Sequence, residues 1–231
     1  MRQLAVDVGN TCVKTALWTD GIKSEWDGKP VDIALASVTG ATPDWATLLP
    51  GINVDLLTAN SLLPIALDYK TPDTLGADRK AAACGAWQLT GGKTGCVIID
   101  AGTCITIDWV DNEGTYRGGA ILPGVEMKFR ALNNFTARLP LLHTNEVSSE
   151  EEYDVIGKST VESIIAGVIE ATKIELEGFV AKYNEIDPNL KVVMTGGDAE
   201  LLCHNKEWLI EKELVLIGLH EIMLNMQKSK N

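Results

Sequence analysis

Short apolar runs alternate along this chain with longer stretches in which apolar residues recur every three or four positions. The runs at 3–8, 12–18, 33–38, 54–57, 96–100, 105–110, 116–121 and 191–194 predict strands. The periodic stretches at about 74–89, 124–137, 160–183 and 216–227 predict helices. The third helix opens with Ser159 three residues before Glu162, the spacing of a capping box. It carries Ile164, Ile165, Val168, Ile169, Leu176, Phe179 and Val180 at helical intervals, a stripe that core packing accounts for. No Pro/Ser-rich linker or low-complexity tract interrupts the alternation, so an α/β class is expected.

One pattern occurs twice. Leu4-Ala5-Val6-Asp7-Val8-Gly9-Asn10-Thr11 is echoed by Val97-Ile98-Ile99-Asp100-Ala101-Gly102-Thr103, and a second apolar strand follows each copy. Each copy is therefore a strand, an Asp-x-Gly turn and a strand. Repetition of a whole supersecondary unit predicts two similar domains whose two turns share one cleft. Gly91, Gly92 and Gly95 punctuate the chain between the copies and place the boundary there, giving domains of 1–92 and 93–231.

Composition narrows the chemistry. With 231 residues and 45% hydrophobic content the chain can bury an ordinary core. Cys12, Cys84, Cys96, Cys104 and Cys203 form no Cys-x-x-Cys spacing, which suits small residues in a reduced cytosol. Asp7 ends the N-terminal apolar run after three residues, and no later segment approaches the ~20 apolar residues of a membrane span. A cytoplasmic protein without a membrane partner is expected. Thirty-two acids against twenty bases leave a net charge of −12, and the bases are scattered, which argues against a nucleic-acid partner. An acidic protein that handles phosphates must gather a few cations, metal ions and backbone N–H groups at one place.

Asp7, Gly9, Asn10, Thr11 and Lys14 supply a carboxylate, a glycine able to take positive φ, small hydrogen-bonding side chains and one cation. Such parts suit a phosphate loop: backbone N–H groups reach phosphate oxygens, Lys14 offsets charge on the transferring group and Asp7 orients hydrated Mg²⁺. Taken alone, the segment also fits an ordinary Gly-Asn hairpin turn. The second turn adds Asp100 and Thr103, with Thr106 and Asp108 beyond them; Asp108 is expected to face solvent from an alternating strand. Thr195-Gly196-Gly197-Asp198 follows a buried-looking strand and opens a short helix, as nucleotide-contacting loops and plain strand-to-helix turns both do. Within 69–80, Asp78 beside Arg79 can pair a general base with an anion-binding guanidinium, or simply feed a helix whose first turn welcomes acids. Gly92-Lys93-Thr94 imitates the end of a Walker A loop, but Trp87 stands where the first glycine belongs, so a turn is expected. His143, His204 and His220 show no spacing for a triad or a metal cluster.

In their order, Asp7-Val8-Gly9-Asn10-Thr11 through Lys14, Gly76-Ala77-Asp78-Arg79, Asp100-Ala101-Gly102-Thr103 and Thr195-Gly196-Gly197 resemble the motifs of type III pantothenate kinases. The stretches 118–124 and 159–164 are similar to that family's segments between the phosphate turns. The resemblance implies the α/β fold of the actin, sugar-kinase and heat-shock-ATPase superfamily, two ribonuclease-H-like halves with a central nucleotide cleft. It implies ATP-dependent phosphorylation of pantothenate at its primary hydroxyl, giving 4′-phosphopantothenate for coenzyme A synthesis. It makes Asp7, Val8, Gly9, Asn10, Thr11, Cys12, Val13 and Lys14 the ATP phosphate loop, with Thr103 a second ATP contact. Asp100 becomes the ligand of a monovalent cation, K⁺ or NH₄⁺. Tyr69, Gly76, Ala77, Asp78, Arg79 and Thr160 hold pantothenate, with Asp78 as proton acceptor. A homodimer is implied as well, which the helix at 160–183 could serve. Cys104 departs from the alanine common in the family. Another small-molecule kinase of the superfamily, or a nucleotide-binding regulator without turnover, are the competing readings; the segment 69–79 argues against the first and the retained Asp78 against the second.

Overall fold

In a computed structural model, residues 1–9, 12–39 and 41–229 are described. The strands are β1 (Arg2–Val8), β2 (Val13–Thr19), β3 (Ile22–Ser24), β4 (Ile33–Val38), β5 (Asp55–Leu56), β6 (Ala66–Leu67), β7 (Cys96–Ala101), β8 (Cys104–Val110), β9 (Thr115–Pro123), β10 (Lys191–Thr195) and β11 (Leu209–Ile210). The helices are α1 (Trp45–Leu48), α2 (Ala77–Leu89), α3 (Val125–Asn134), α4 (Thr160–Ile165), α5 (Ala171–Ile186), α6 (Ala199–Leu202) and α7 (Leu214–Lys228). Contacts divide the chain into two compact units, one of Met1–Gly95, Val110–Gly118 and Glu213–Asn231, the other of Cys96–Trp109 and Gly119–Lys212.

In the first unit β1 pairs antiparallel with β2 and parallel with β4, giving the order β3-β2-β1-β4-β5. Alternation along β1 sorts its side chains: Leu4, Val6 and Val8 join a core cluster with Ala34, Ala36 and Leu49. Gln3, Ala5 and Asp7 therefore take the opposite face. Trp18, the cross-strand partner of Gln3, stacks there on His220 of α7 at 4.4 Å. Helices α2 and α7 pack against each other through two glycines. A Cβ on Gly85 would sit 2.5 Å from the Leu214 carbonyl oxygen, and one on Gly218 would sit 1.7 Å from that of Ala81. Backbones can approach this closely only where no side chain intervenes.

The second sheet has the order β6-β9-β8-β7-β10-β11 and, β6 apart, repeats that of the first, with β10 parallel to both β7 and β11. In each unit the first strand of the sequence echo is central, its hairpin partner on one side and a parallel strand on the other. The sequence echo is therefore an echo of topology. Val97, Ile99 and Ala101 of β7 pack with Val125 and Phe129 of α3, and with Ile164, Val168, Ile169, Leu176 and Val180 of the long helix. The stripe expected to be core is core, with Ile165 and Phe179 partly buried against it. That helix is interrupted: a π-helical turn, Ala166–Glu170, joins α4 to α5.

All eight expected strands are present; β3, β6 and β11, of two or three residues each, are too short to leave a periodic signal. The helix expected from 74 starts at Ala77, because Pro72–Thr74 forms a separate 3₁₀ turn and Gly76 is extended (ψ 141°). Asp108 corrects an expectation. It is 1% exposed rather than solvent-facing. From Ile107 onward β8 is covered on both faces, so the period-two rule for half-buried strands does not apply there. Among the described residues no helix is long and apolar enough to cross a membrane.

Candidate functional site

Asp7 stands at the end of β1, directly across from Lys14 of β2 and Ser37 of β4. Its carboxyl is pushed up from 3.8 to about 6, first by burial and then by the negative charge of Asp78; Lys14 and Ser37 offset part of the rise. The Ser37 hydroxyl is buried without a hydrogen bond of normal geometry, so its contribution is the weakest of these. Asp78 occupies the first turn of α2 and accepts a 2.8 Å hydrogen bond from the Arg79 backbone N–H. It folds back so tightly that a Cβ on Gly76 would lie 2.4 Å from its Oδ1. Gly76 is thus the residue that lets the carboxylate take this position. The strand alternation that puts Asp7 opposite Val6 and Val8 is what brings Asp7 within range of Asp78.

The hairpin between β1 and β2 is closed by the Gly9 N–H donating 3.0 Å to the Cys12 carbonyl. Gly9, able to take positive φ, does not do so here. Val8 is buried and its carbonyl accepts from the Thr39 N–H at 3.1 Å; Cys12, Val13 and Lys14 are exposed. Asn10 and Thr11 lie outside the described residues. Tyr69 is half-buried, edge-on to Tyr116 at 5.9 Å and close over Gly118, where a Cβ would lie 3.6 Å from its ring. The first unit thus brings Asp7, Lys14, Gly76 and Asp78 together and fixes the start of the segment 69–79 by its tyrosine.

In the second unit Asp100 is the strand partner of Thr195 on β10. The Gly102 N–H donates 3.1 Å to the Cys104 carbonyl, leaving Thr103 exposed at the turn. Two glycine backbones press on this turn. A Cβ on Gly124, the residue before α3, would meet the carbonyl oxygens of Gly102 and Thr103 at 2.4 Å. Gly196, at φ +96°, crosses Ala101 so closely that a Cβ would lie 2.3 Å from its oxygen, and the Asp198 N–H donates 2.9 Å to the same carbonyl. The third glycine segment is therefore packed on the second turn, a contact that no local sequence signal announces. The carboxyl of Asp198 is raised by burial and by the nearby charge of Glu126. Glu126 itself is held down to about 2 by Arg130, with His143 and the Thr144 N–H adding to the effect against burial.

Thr160 opens α4 behind Ser159, whose side chain accepts from the Glu162 N–H at 3.2 Å; the Glu162 carboxylate returns a bond to the Lys158 N–H at 2.6 Å. It lines a cavity of about 670 Å³ with Leu132, Leu139, Lys158 and Ser163. Sequence reasoning missed Ser37 and Glu126 as neighbours of the candidate groups. Both reach them through pairing or packing distant in sequence.

Comparison with solved structures gives the class. A protein from Campylobacter jejuni described as a Baf family transcriptional activator superposes with a TM-score of 0.64 at 20% identity, covering 97% of this chain and 99% of that one. The activator of 2-hydroxyisocaproyl-CoA dehydratase from Clostridium difficile, solved with bound ADPNP, gives 0.53 at 16% identity over 100% and 97% of the two chains. The fold is that of the actin, sugar-kinase and heat-shock-ATPase superfamily. Sequence comparison is more specific: the family model described as type III pantothenate kinase matches residues 38–182. A type III pantothenate kinase from Cytophaga hutchinsonii is 38% identical, over 95% of this chain and 97% of that protein. One from Bacteroides fragilis is 35% identical over 95% and 96%. The chain belongs to the type III pantothenate kinase family.

Proposed function

We propose that this chain transfers the γ-phosphoryl group of ATP to the primary hydroxyl of pantothenate, giving 4′-phosphopantothenate, the first step of coenzyme A synthesis. One observation carries the site assignment: Asp7, in the first phosphate turn, is near enough to Asp78, at the head of the acceptor segment, for that negative charge to raise its carboxyl. A primary alcohol is a weak nucleophile, and the transition state spreads charge over the γ-phosphoryl oxygens, so positioning and electrostatics carry the rate. Asp78 accepts the hydroxyl proton. Residues 7–14 and Thr103 hold the ATP phosphates, and Tyr69, Gly76, Ala77, Arg79 and Thr160 hold the acceptor.

Asp7 fits a divalent cation: it is a hard oxygen donor whose raised carboxyl marks a place where negative charge is under-compensated. Mg²⁺ there would neutralise phosphate charge. Asp100 is the proposed ligand of K⁺ or NH₄⁺. The proposed functional division follows the echo, with 1–92 and 93–231 as ribonuclease-H-like halves, although 110–118 and 213–231 belong to the first compact unit. Its setting is the cytoplasm, and the protein acts as a homodimer to which the helix at 160–183 contributes.

The test is ADP release from ATP, Mg²⁺ and pantothenate, first with K⁺ and then with Na⁺ as the only monovalent cation. Pantothenate-dependent turnover stimulated by K⁺ supports acceptor, donor and cation together. No turnover in either salt with ATP binding intact replaces the reading by a nucleotide-binding role or another acceptor. Asp100→Asn should weaken half-saturation by K⁺ roughly tenfold or more; a K⁺ titration that overlays the parent's removes the cation from Asp100.

A further inference from the structure

Strand β4 reads Ile33-Ala34-Leu35-Ala36-Ser37-Val38, apolar at every position but one. The exception is sealed: Ser37 is 0% exposed, and among the described residues its hydroxyl has no hydrogen-bond partner. A buried hydroxyl without a partner disfavours folding. Alanine, which the strand already carries at 34 and 36, would occupy nearly the same space without that penalty. Packing therefore gives no reason for the serine.

Its position supplies one. Parallel register sets Ser37 beside Asp7, so the two side chains share a face of the sheet. Lys14 is the partner of Asp7 on the other side, which makes one row across three strands: an exposed ammonium, a carboxyl and a buried hydroxyl. The row lies one residue from the carboxyl ends of the parallel strands β1 and β4, the end at which open α/β sheets bind their ligands. Of the side chains that act on Asp7, Asp78 is a like charge, Lys14 an exposed cation and Ser37 the one buried donor. A serine hydroxyl can turn its proton to suit a neighbour, and an ionised carboxylate accepts at both of its oxygens.

We propose that Ser37 is a positioning residue of the first phosphate turn: its hydroxyl donates to the Asp7 carboxylate when nucleotide and a divalent cation bind, and so fixes the oxygens that face the cation. The inference rests on the reading of residues 7–14 as the ATP phosphate loop and of Asp7 as the group that meets the cation. Carboxylates that hold metal ions are themselves held by hydrogen bonds, and loss of such a partner weakens metal binding about ten- to a hundredfold. Ser37 acts through Asp7 alone, so its influence is confined to the metal–nucleotide side of the reaction.

Ser37→Ala in the full chain tests this. Affinity for ADPNP, a non-hydrolysable ATP analogue, is measured by calorimetric titration with Mg²⁺ and again with EDTA, alongside KM for pantothenate and the unfolding temperature without ligands. The substitution should weaken ADPNP binding roughly tenfold or more with Mg²⁺ and leave it unchanged with EDTA. KM for pantothenate should stay as in the parent, and the unfolding temperature should be equal or higher. Unchanged affinity with Mg²⁺, equal losses with Mg²⁺ and with EDTA, or a raised KM for pantothenate would each overturn the proposal. A lower unfolding temperature, or failure to fold, would make the hydroxyl structural and overturn it as well. If the parent does not phosphorylate pantothenate, the kinase reading has failed, and the two ADPNP titrations still decide the role of Ser37. If the parent binds ADPNP equally with Mg²⁺ and with EDTA, no cation acts at Asp7 and the proposal falls with that assignment.

Discussion

Asp7 and Asp100 end equivalent central strands in sheets of the same order, yet their surroundings differ. Around Asp100 the turn is clasped by backbone: Gly124 abuts the carbonyls of Gly102 and Thr103, and Gly196 lies across Ala101. Around Asp7 the neighbours are charged. Lys14 lies across the hairpin and Asp78 comes from the head of α2, while the only described atom near the Cβ position of Gly9 is the Cys12 oxygen of its own turn, at 3.4 Å. One topology has been used twice, with glycine backbone clasping the second turn and charged side chains flanking the first. A carboxyl raised to about 6, first by burial and then by a like charge, makes the first copy the candidate for reactive chemistry.

The largest effect that would break this contrast is at Asp78. Asp78→Asn should lower kcat by roughly two to four orders of magnitude while ATP affinity stays near normal, because a general base acts on the acceptor proton and not on nucleotide binding. Steady-state kinetics with a separate nucleotide-binding titration checks it. An unchanged kcat removes Asp78 from the base role and leaves the first turn no more reactive than the second.

Much of this contrast is written in the sequence only as parts. The two Asp-x-Gly hairpins, the eight expected strands and the stripe from Ile164 to Val180 are local patterns, and local patterns are legible. The packing of Gly196 on Ala101 is not, because a glycine in a turn and a glycine under a foreign backbone leave the same letter. Ser37 beside Asp7 depends on parallel register between strands separated by a hairpin and a loop. Asp108 shows the limit of alternation: among Ile105, Ile107 and Val110 it reads as the polar face of a strand, but that face is open only near Cys104 and closes over Asp108 and Val110.

A matched pair of glycine substitutions sharpens the structural half of the comparison. Gly196→Ala forces a side chain into a left-handed backbone (φ +96°) and to within 2.3 Å of the Ala101 oxygen, so a loss of about 3 kcal/mol is expected. Gly9→Ala adds a methyl at ordinary contact distance from the Cys12 oxygen, and less than about 1 kcal/mol is expected. Urea unfolding of both variants at one pH measures the difference. Equal losses would mean that the first turn is clasped as firmly as the second.

Asp7→Asn probes the electrostatic half, and its sign follows from the raised carboxyl. In the folded chain Asp7 holds its proton up to about pH 6, against 3.8 ordinarily, because burial and Asp78 disfavour the charged form. Stability from this group is therefore fully present below pH 3.8 and is lost as the pH rises to about 6. A displacement of that size corresponds to roughly 3 kcal/mol, of which partial solvation leaves about 2. Asparagine never ionises, so above pH 6 Asp7→Asn should be more stable than the parent, by about 2 kcal/mol beyond any difference between them at pH 3.8. Urea unfolding of both proteins at several pH values, without nucleotide or Mg²⁺, reads that change directly. If the difference does not vary with pH, Asp7 carries no stored repulsion, and the first turn has lost the feature that sets it apart from the second.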